Sequence, residues 1–89
     1  HDTMGLGLAN LYSSLSFGII HFDTSFGGLG GSPFINGSTG NIPTEETVNL
    51  LEGLGYNVMI DKKKVSEISR WIHKKIQNSY FGGQIFRNL

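Results

Sequence analysis

One stretch of this chain reads as a strand, and it stands alone. Residues 19–24, IIHFDT, are short, β-branched and aromatic, with Gly18 before them and Gly27 and Gly28 shortly after, as expected of a strand buried in a sheet. A single strand leaves the N–H and C=O groups of both its edges unpaired. The chain therefore needs more sheet than its own residues supply, and it reads as an excerpt or a processed piece. Its first residue is His1 rather than methionine, with no charged-then-apolar leader at the start of the sequence, so the expectation is a true start further upstream.

Helices surround that strand. Leu6, Leu8, Leu11, Leu15 and Phe17 recur at helical spacing, and the pattern predicts a helix over 5–17 stopped by Gly18. Pro43 followed by Thr44, Glu45 and Glu46 reads as a second start, a threonine cap with carboxylates in the first turn, and VNLLEGLG continues it to Gly53 or Gly55. Val65, Ile68, Trp71, Ile72 and Ile76 predict an amphipathic helix over 62–78, with Asp61 as its cap. Residues 79–89 show no period and are expected to form a loosely packed tail. Helices alternating with strand signals imply an α/β fold with a parallel sheet.

Composition removes several classes of function. Among 89 residues there is no cysteine, so neither a disulfide framework nor a thiolate metal site is available, and a reducing cytoplasm or mitochondrial matrix fits. The apolar runs are far shorter than the ~18–20 residues of a membrane span. Seven basic residues balance seven acidic ones. Lys62, Lys63, Lys64, Arg70, Lys74, Lys75 and Arg87 all lie in the last third and read as a solvated helix face. Neither a nucleic acid nor a membrane is expected as a partner.

Between the strand and the second helix lies GGLGGSPFINGSTGN, residues 27–41, with six glycines in fifteen positions. Tight turns account for some of them. A glycine-rich loop of this length is more often functional, cradling an anion on backbone N–H groups or closing over a site. It has neither the lysine of a P-loop nor a GxGxxG pattern, so nucleotide phosphate is unsupported. In a parallel α/β sheet the loops at the carboxyl ends of strands surround the site, and two segments fit that address: His1-Asp2-Thr3, and the glycine-rich loop ending in Asn41. An imidazole and an amide oxygen from neighbouring loops suit an oxygen-rich magnesium or manganese shell better than zinc. The plain alternatives are a surface histidine and a helix-capping Asp2.

HDTMGLGLAN, then FDTSFGGLGGSPFINGSTGN, then TEETVNLLEGLG together resemble the carboxyl-terminal part of the 3-hydroxy-3-methylglutaryl-CoA lyase family, metal-dependent TIM-barrel enzymes. The resemblance runs from His1 to about residue 78 with the motifs in family order. It implies that residues 1–89 are the end of a (β/α)8 barrel: the tip of strand 7, helix 7, strand 8, the glycine-rich loop, helix 8 and an extra helix. A whole barrel takes about 250 residues.

The resemblance also implies a ligand set and a chemistry. His1 matches the second histidine of the family's HxHD metal motif, and Asn41 matches the asparagine that closes the loop. The other ligands would precede His1. The implied reaction is a retro-Claisen cleavage of an acyl-CoA to acetyl-CoA and acetoacetate with Mg2+ or Mn2+, and the family leaves room for a homodimer of the intact protein. Gly28, Gly30 and Gly31 would let the loop fold over substrate. Ser32 stands where the family has a proton-transferring cysteine. A thiol titrates near about 8.5 and a serine hydroxyl does not titrate in that range, so Ser32 implies a slow or altered lyase, a relative using another acyl-CoA, or a protein that no longer catalyses. Two alternatives stand beside the lyase: a condensing enzyme of the same superfamily acting on a 2-oxo acid, and a non-catalytic barrel remnant.

Overall fold

A computed structural model describes residues 1–31, 40–76 and 80–88. The elements run from a 3-10 turn at Thr3–Gly5 to helix α1 (Gly7–Leu15), a second 3-10 turn at Phe26–Gly28, strand β1 (Leu29–Gly30), helix α2 (Thr44–Gly53), helix α3 (Lys62–Lys75), strand β2 (Tyr80–Phe81) and helix α4 (Ile85–Asn88).

Two of the helices end by the same device. Gly18 at φ 79 lets Ile19 N donate back to the Ser14 carbonyl and Gly18 N to that of Leu15, which ends α1. Gly55 at φ 93 does the same for α2, with Tyr56 N on Leu51 and Gly55 N on Glu52. Both are left-handed glycine caps that satisfy the last carbonyls of a helix. At the start of α3 the Asp61 carboxylate accepts from Lys63 N and Lys64 N, as its position predicts.

Several local expectations give way to tertiary contacts. Residues 19–24 form no strand: among the described residues the only pairing nearby is an isolated parallel bridge between Ser25 and Pro43, and Ile19 and Ile20 are exposed. A β-run without a neighbouring strand has nothing to complete its ladder. Thr44 does not cap α2. The cap position is Pro43, without a side-chain bond, and the Thr44 hydroxyl instead meets that of Thr24 at 2.6 Å.

The face of α3 that meets the rest of the chain is only partly its apolar stripe, of which Val65 and Ile72 are half-buried. Ser66 and Ser69 are fully buried, while Ile68, Trp71 and Ile76 are exposed, Trp71 by 63%. Two small side chains let the α3 backbone lie close against α2 and the Phe26–Gly28 turn. The Ser66 hydroxyl is satisfied by the Lys62 carbonyl of its own helix at 2.8 Å.

Residues 80–88 of the expected loose tail form regular structure. β2 pairs antiparallel with β1, Leu29 opposite Phe81 and Gly30 opposite Tyr80. Phe81 and Phe86 are core residues beside Leu11, Ile42 and Val48, and the His73 ring meets both phenylalanines edge-on, with centroids 4.9 and 5.6 Å away. Two phenylalanine rings outside any helical or strand period thus close the core from the chain's far end against His73 of α3.

Candidate functional site

The N-terminal residues are brought to the loop by backbone bonds. Asp2 N donates to the Gly40 carbonyl at 3.1 Å, and the Asp2 carboxylate accepts from Gly7 N at 2.9 Å, at the first residue of α1. Gly7 is buried because Ile42 packs where a side chain would begin: a Cβ there would fall on Ile42 Cγ2 and come within 2.9 Å of the His1 carbonyl. These contacts set His1 and Asn41 in the wall of one open cleft of about 610 Å3.

That cleft is also lined by Asn10, His21 and Asp23. His21, read from sequence as a strand residue rather than a ligand, is exposed along the cleft. Asn10 of α1 lines it as well. Among the described residues no three His, Asp or Glu side chains converge to hold a metal ion. Of the residues expected at the site, His1 and Asn41 line the same cleft; Ser32, expected at the proton-transferring position, lies outside the described residues.

The root of the glycine-rich loop is tightly built. Gly28, Gly30 and Gly31 have φ values of 76, 149 and 116, a region that side chains rarely adopt. The two arms of the loop nearly touch: a Cβ on Gly40 would fall on the Gly28 carbonyl, and one on Gly30 would come within 2.6 Å of Asn41 Nδ2. That approach lets Asn41 Nδ2 donate to the Leu29 carbonyl at 3.1 Å. With its nitrogen engaged, the amide keeps its carbonyl oxygen as the acceptor end. An amide oxygen and an imidazole lining one cleft are donor types suited to part of a hard-cation shell.

Glu45 and Glu46, read from sequence as charges stabilising a helix start, have partners well outside α2. Glu45 has no exposed surface and accepts from Gly27 N at 3.1 Å and from the Ser69 hydroxyl. Glu46 accepts from Gln84 N at 2.6 Å and from Ile85 N at 3.4 Å. Adjacent carboxylates on a helix point in different directions, and here one serves the loop root and the other residues 84–85. Nothing in the local pattern TEET separates these roles from an ordinary charged first turn.

The HMGL-like family model matches residues 1–72. The hydroxymethylglutaryl-CoA lyase of Pseudomonas mevalonii is 43% identical over 68 residues, covering 76% of this chain and 23% of that enzyme. The crystal structure of a Bacillus subtilis HMG-CoA lyase superimposes with a TM-score of 0.88 at 37% identity, covering 98% of this chain and 29% of that one. An HMG-CoA lyase from Acinetobacter baumannii, solved in complex with coenzyme A and 3-methylmalate, gives a TM-score of 0.85 at 36% identity over 99% of this chain and 28% of that one. The chain thus spans about a quarter of the length of the relatives it matches.

Proposed function

The chain belongs to the HMGL-like family, and from that membership we propose that it forms the carboxyl-terminal part of a divalent-cation-dependent carbon–carbon lyase acting on 3-hydroxy-3-methylglutaryl-CoA or a close thioester analogue. The lyase names of its relatives support the reaction class. Under this reading His1 and Asp2 end the seventh strand of a (β/α)8 barrel, α1 follows it, residues 19–24 are the eighth strand, α2 is the eighth helix and α3 an extra one. The unpaired state of residues 19–24 fits, since the neighbours of that strand would belong to the rest of the barrel.

The observation that carries the proposal is that His1 and Asn41 line one cleft, with the Asn41 nitrogen held on the Leu29 carbonyl and its oxygen left as the acceptor end. In this role His1 contributes an imidazole nitrogen and Asn41 a carbonyl oxygen to a Mg2+ or Mn2+ shell. A divalent ion held there would supply Lewis acidity and a template for substrate oxygens. The cleavage removes the proton of the tertiary hydroxyl, breaks the carbon–carbon bond and protonates the acetyl-CoA enolate, leaving acetoacetate. Ser32 relays a proton or orients water at that enolate, and without a thiol it does so slowly, because general acid–base catalysis contributes about 10²- to 10⁴-fold.

Full-length protein incubated with 3-hydroxy-3-methylglutaryl-CoA and Mg2+ or Mn2+ is expected to release acetoacetate and acetyl-CoA in equal amounts, and to stop on chelation. No release under any divalent ion would sink the proposal.

A further inference from the structure

Residues 80–88 lie beyond the span matched by the family model, yet they are fastened to the root of the loop that Asn41 closes. β2 pairs with β1, and Gly83 N donates to the Gly27 carbonyl at 2.9 Å. Glu46 anchors the same segment to α2 through Gln84 N and Ile85 N. Arg87 folds back on it, donating Nε to the Gly83 carbonyl at 3.0 Å and Nη2 to that of Phe81 at 2.9 Å. From α3, Arg70 Nη1 donates to the Phe86 carbonyl at 2.9 Å.

β1 has a second partner besides β2: its Leu29 carbonyl takes the Asn41 amide nitrogen. A partner behind a ligand fixes the ligand's orientation and tunes what it binds. We propose that residues 80–88 form a positioning strap for the Asn41 amide, acting through β1, with Glu46 as the residue that anchors it. The strap keeps the Leu29 carbonyl where it holds the amide nitrogen, and so decides which end of Asn41 faces the cleft. The effect on a cation rests on the function proposed above; the hydrogen bonding does not.

The test uses full-length protein labelled with 15N-asparagine, the Asn41 side-chain signal being assigned by its loss in Asn41→Ala. One Nδ2 proton is expected to exchange slowly in the parent, at least about tenfold faster in Glu46→Ala, and nearly as slowly as the parent in Glu46→Gln, which keeps an acceptor of the same size. Titration with Mn2+ is expected to show the affinity of Glu46→Ala weakened by about tenfold, the lower end for loss of an outer partner. The double variant Asn41→Ala/Glu46→Ala should bind no more weakly than Asn41→Ala alone. Unchanged protection of the Asn41 proton in a folded Glu46→Ala overturns the strap, whatever its melting temperature does. Additive losses in the double variant overturn its coupling to the site. Lost protection, with Mn2+ affinity indifferent to Asn41→Ala, upholds the strap and removes the cation reading instead. If Glu46→Ala does not fold, Arg87→Met, which removes the bonds to Phe81 and Gly83, carries the same comparison.

Discussion

Glu45 takes the hydroxyl hydrogen of Ser69 on one carboxylate oxygen and the Gly27 N–H on the other, so one fully buried side chain joins α2, α3 and the root of the glycine-rich loop. Removing it strands two buried donors, each at a cost of about 1–3 kcal/mol. Glu45→Ala is expected to lower the stability of the full-length protein by about 2–5 kcal/mol. Glu45→Gln, which can satisfy one of the two donors, should lose less than half of that. Urea denaturation of the two variants checks the order.

The burial of Ser66 and Ser69 gives α3 a second diagnostic. Ser66→Ala removes a hydroxyl that bonds only its own helix and should stay within about 0.5 kcal/mol of the parent. Ser66→Leu pushes new methylenes into a closely packed contact and should lose about 1–3 kcal/mol or more. Equal melting temperatures for the two variants would contradict the close approach of α3.

At Gly40 the neighbour of a new Cβ is the Gly28 backbone rather than a flexible side chain, so Gly40→Ala must move one arm of the loop. A displacement near 1 Å at a site can lower a rate by about a hundredfold. Under the lyase reading, acetoacetate release by the full-length variant should fall by that order, with a smaller change in melting temperature.

Ser32→Cys restores a group that titrates near neutrality. Under the lyase reading kcat is expected to rise by about tenfold or more, up to the roughly 10²- to 10⁴-fold that general acid–base catalysis supplies, and KM should stay constant. Steady-state kinetics decide it, and an unaltered kcat would remove the proton-relay role.

Phe86 is 1% exposed and touches both His73 and Phe81. Phe86→Ala is expected to cost about 3–5 kcal/mol, as large-to-small core substitutions do, and to open residues 80–88 to limited proteolysis before the rest of the chain.

The helices are legible in the sequence because their signals are local. Leu8, Leu11 and Leu15 mark α1, Asp61 caps α3, and Gly18 and Gly55 are the left-handed terminators of α1 and α2. What escapes a sequence reading depends on residues far apart. Whether IIHFDT becomes a strand is decided by a neighbour it does not contain. TEET reads as a charged first turn, because nothing near it announces Gly27, Ser69 or Gln84 as the partners. The hydrophobic period of α3 correctly identifies a helix and misassigns part of its inner face, since the closest backbone approach selects serine over tryptophan. The candidate site divides in the same way: His1 and Asn41 are proposed from their motifs, whereas the Leu29 bond that holds the Asn41 amide belongs to a two-residue strand too short to leave a pattern.

The unpaired segment 19–24 has a practical consequence. It exposes Ile19 and Ile20 on a chain whose net charge is zero, so no electrostatic repulsion keeps copies apart while each offers a backbone template to the next. Any strand that pairs with this segment would raise the concentration at which the chain stays dispersed. Dilution and strand-mimicking peptides, rather than added salt, are the levers that would keep it in solution.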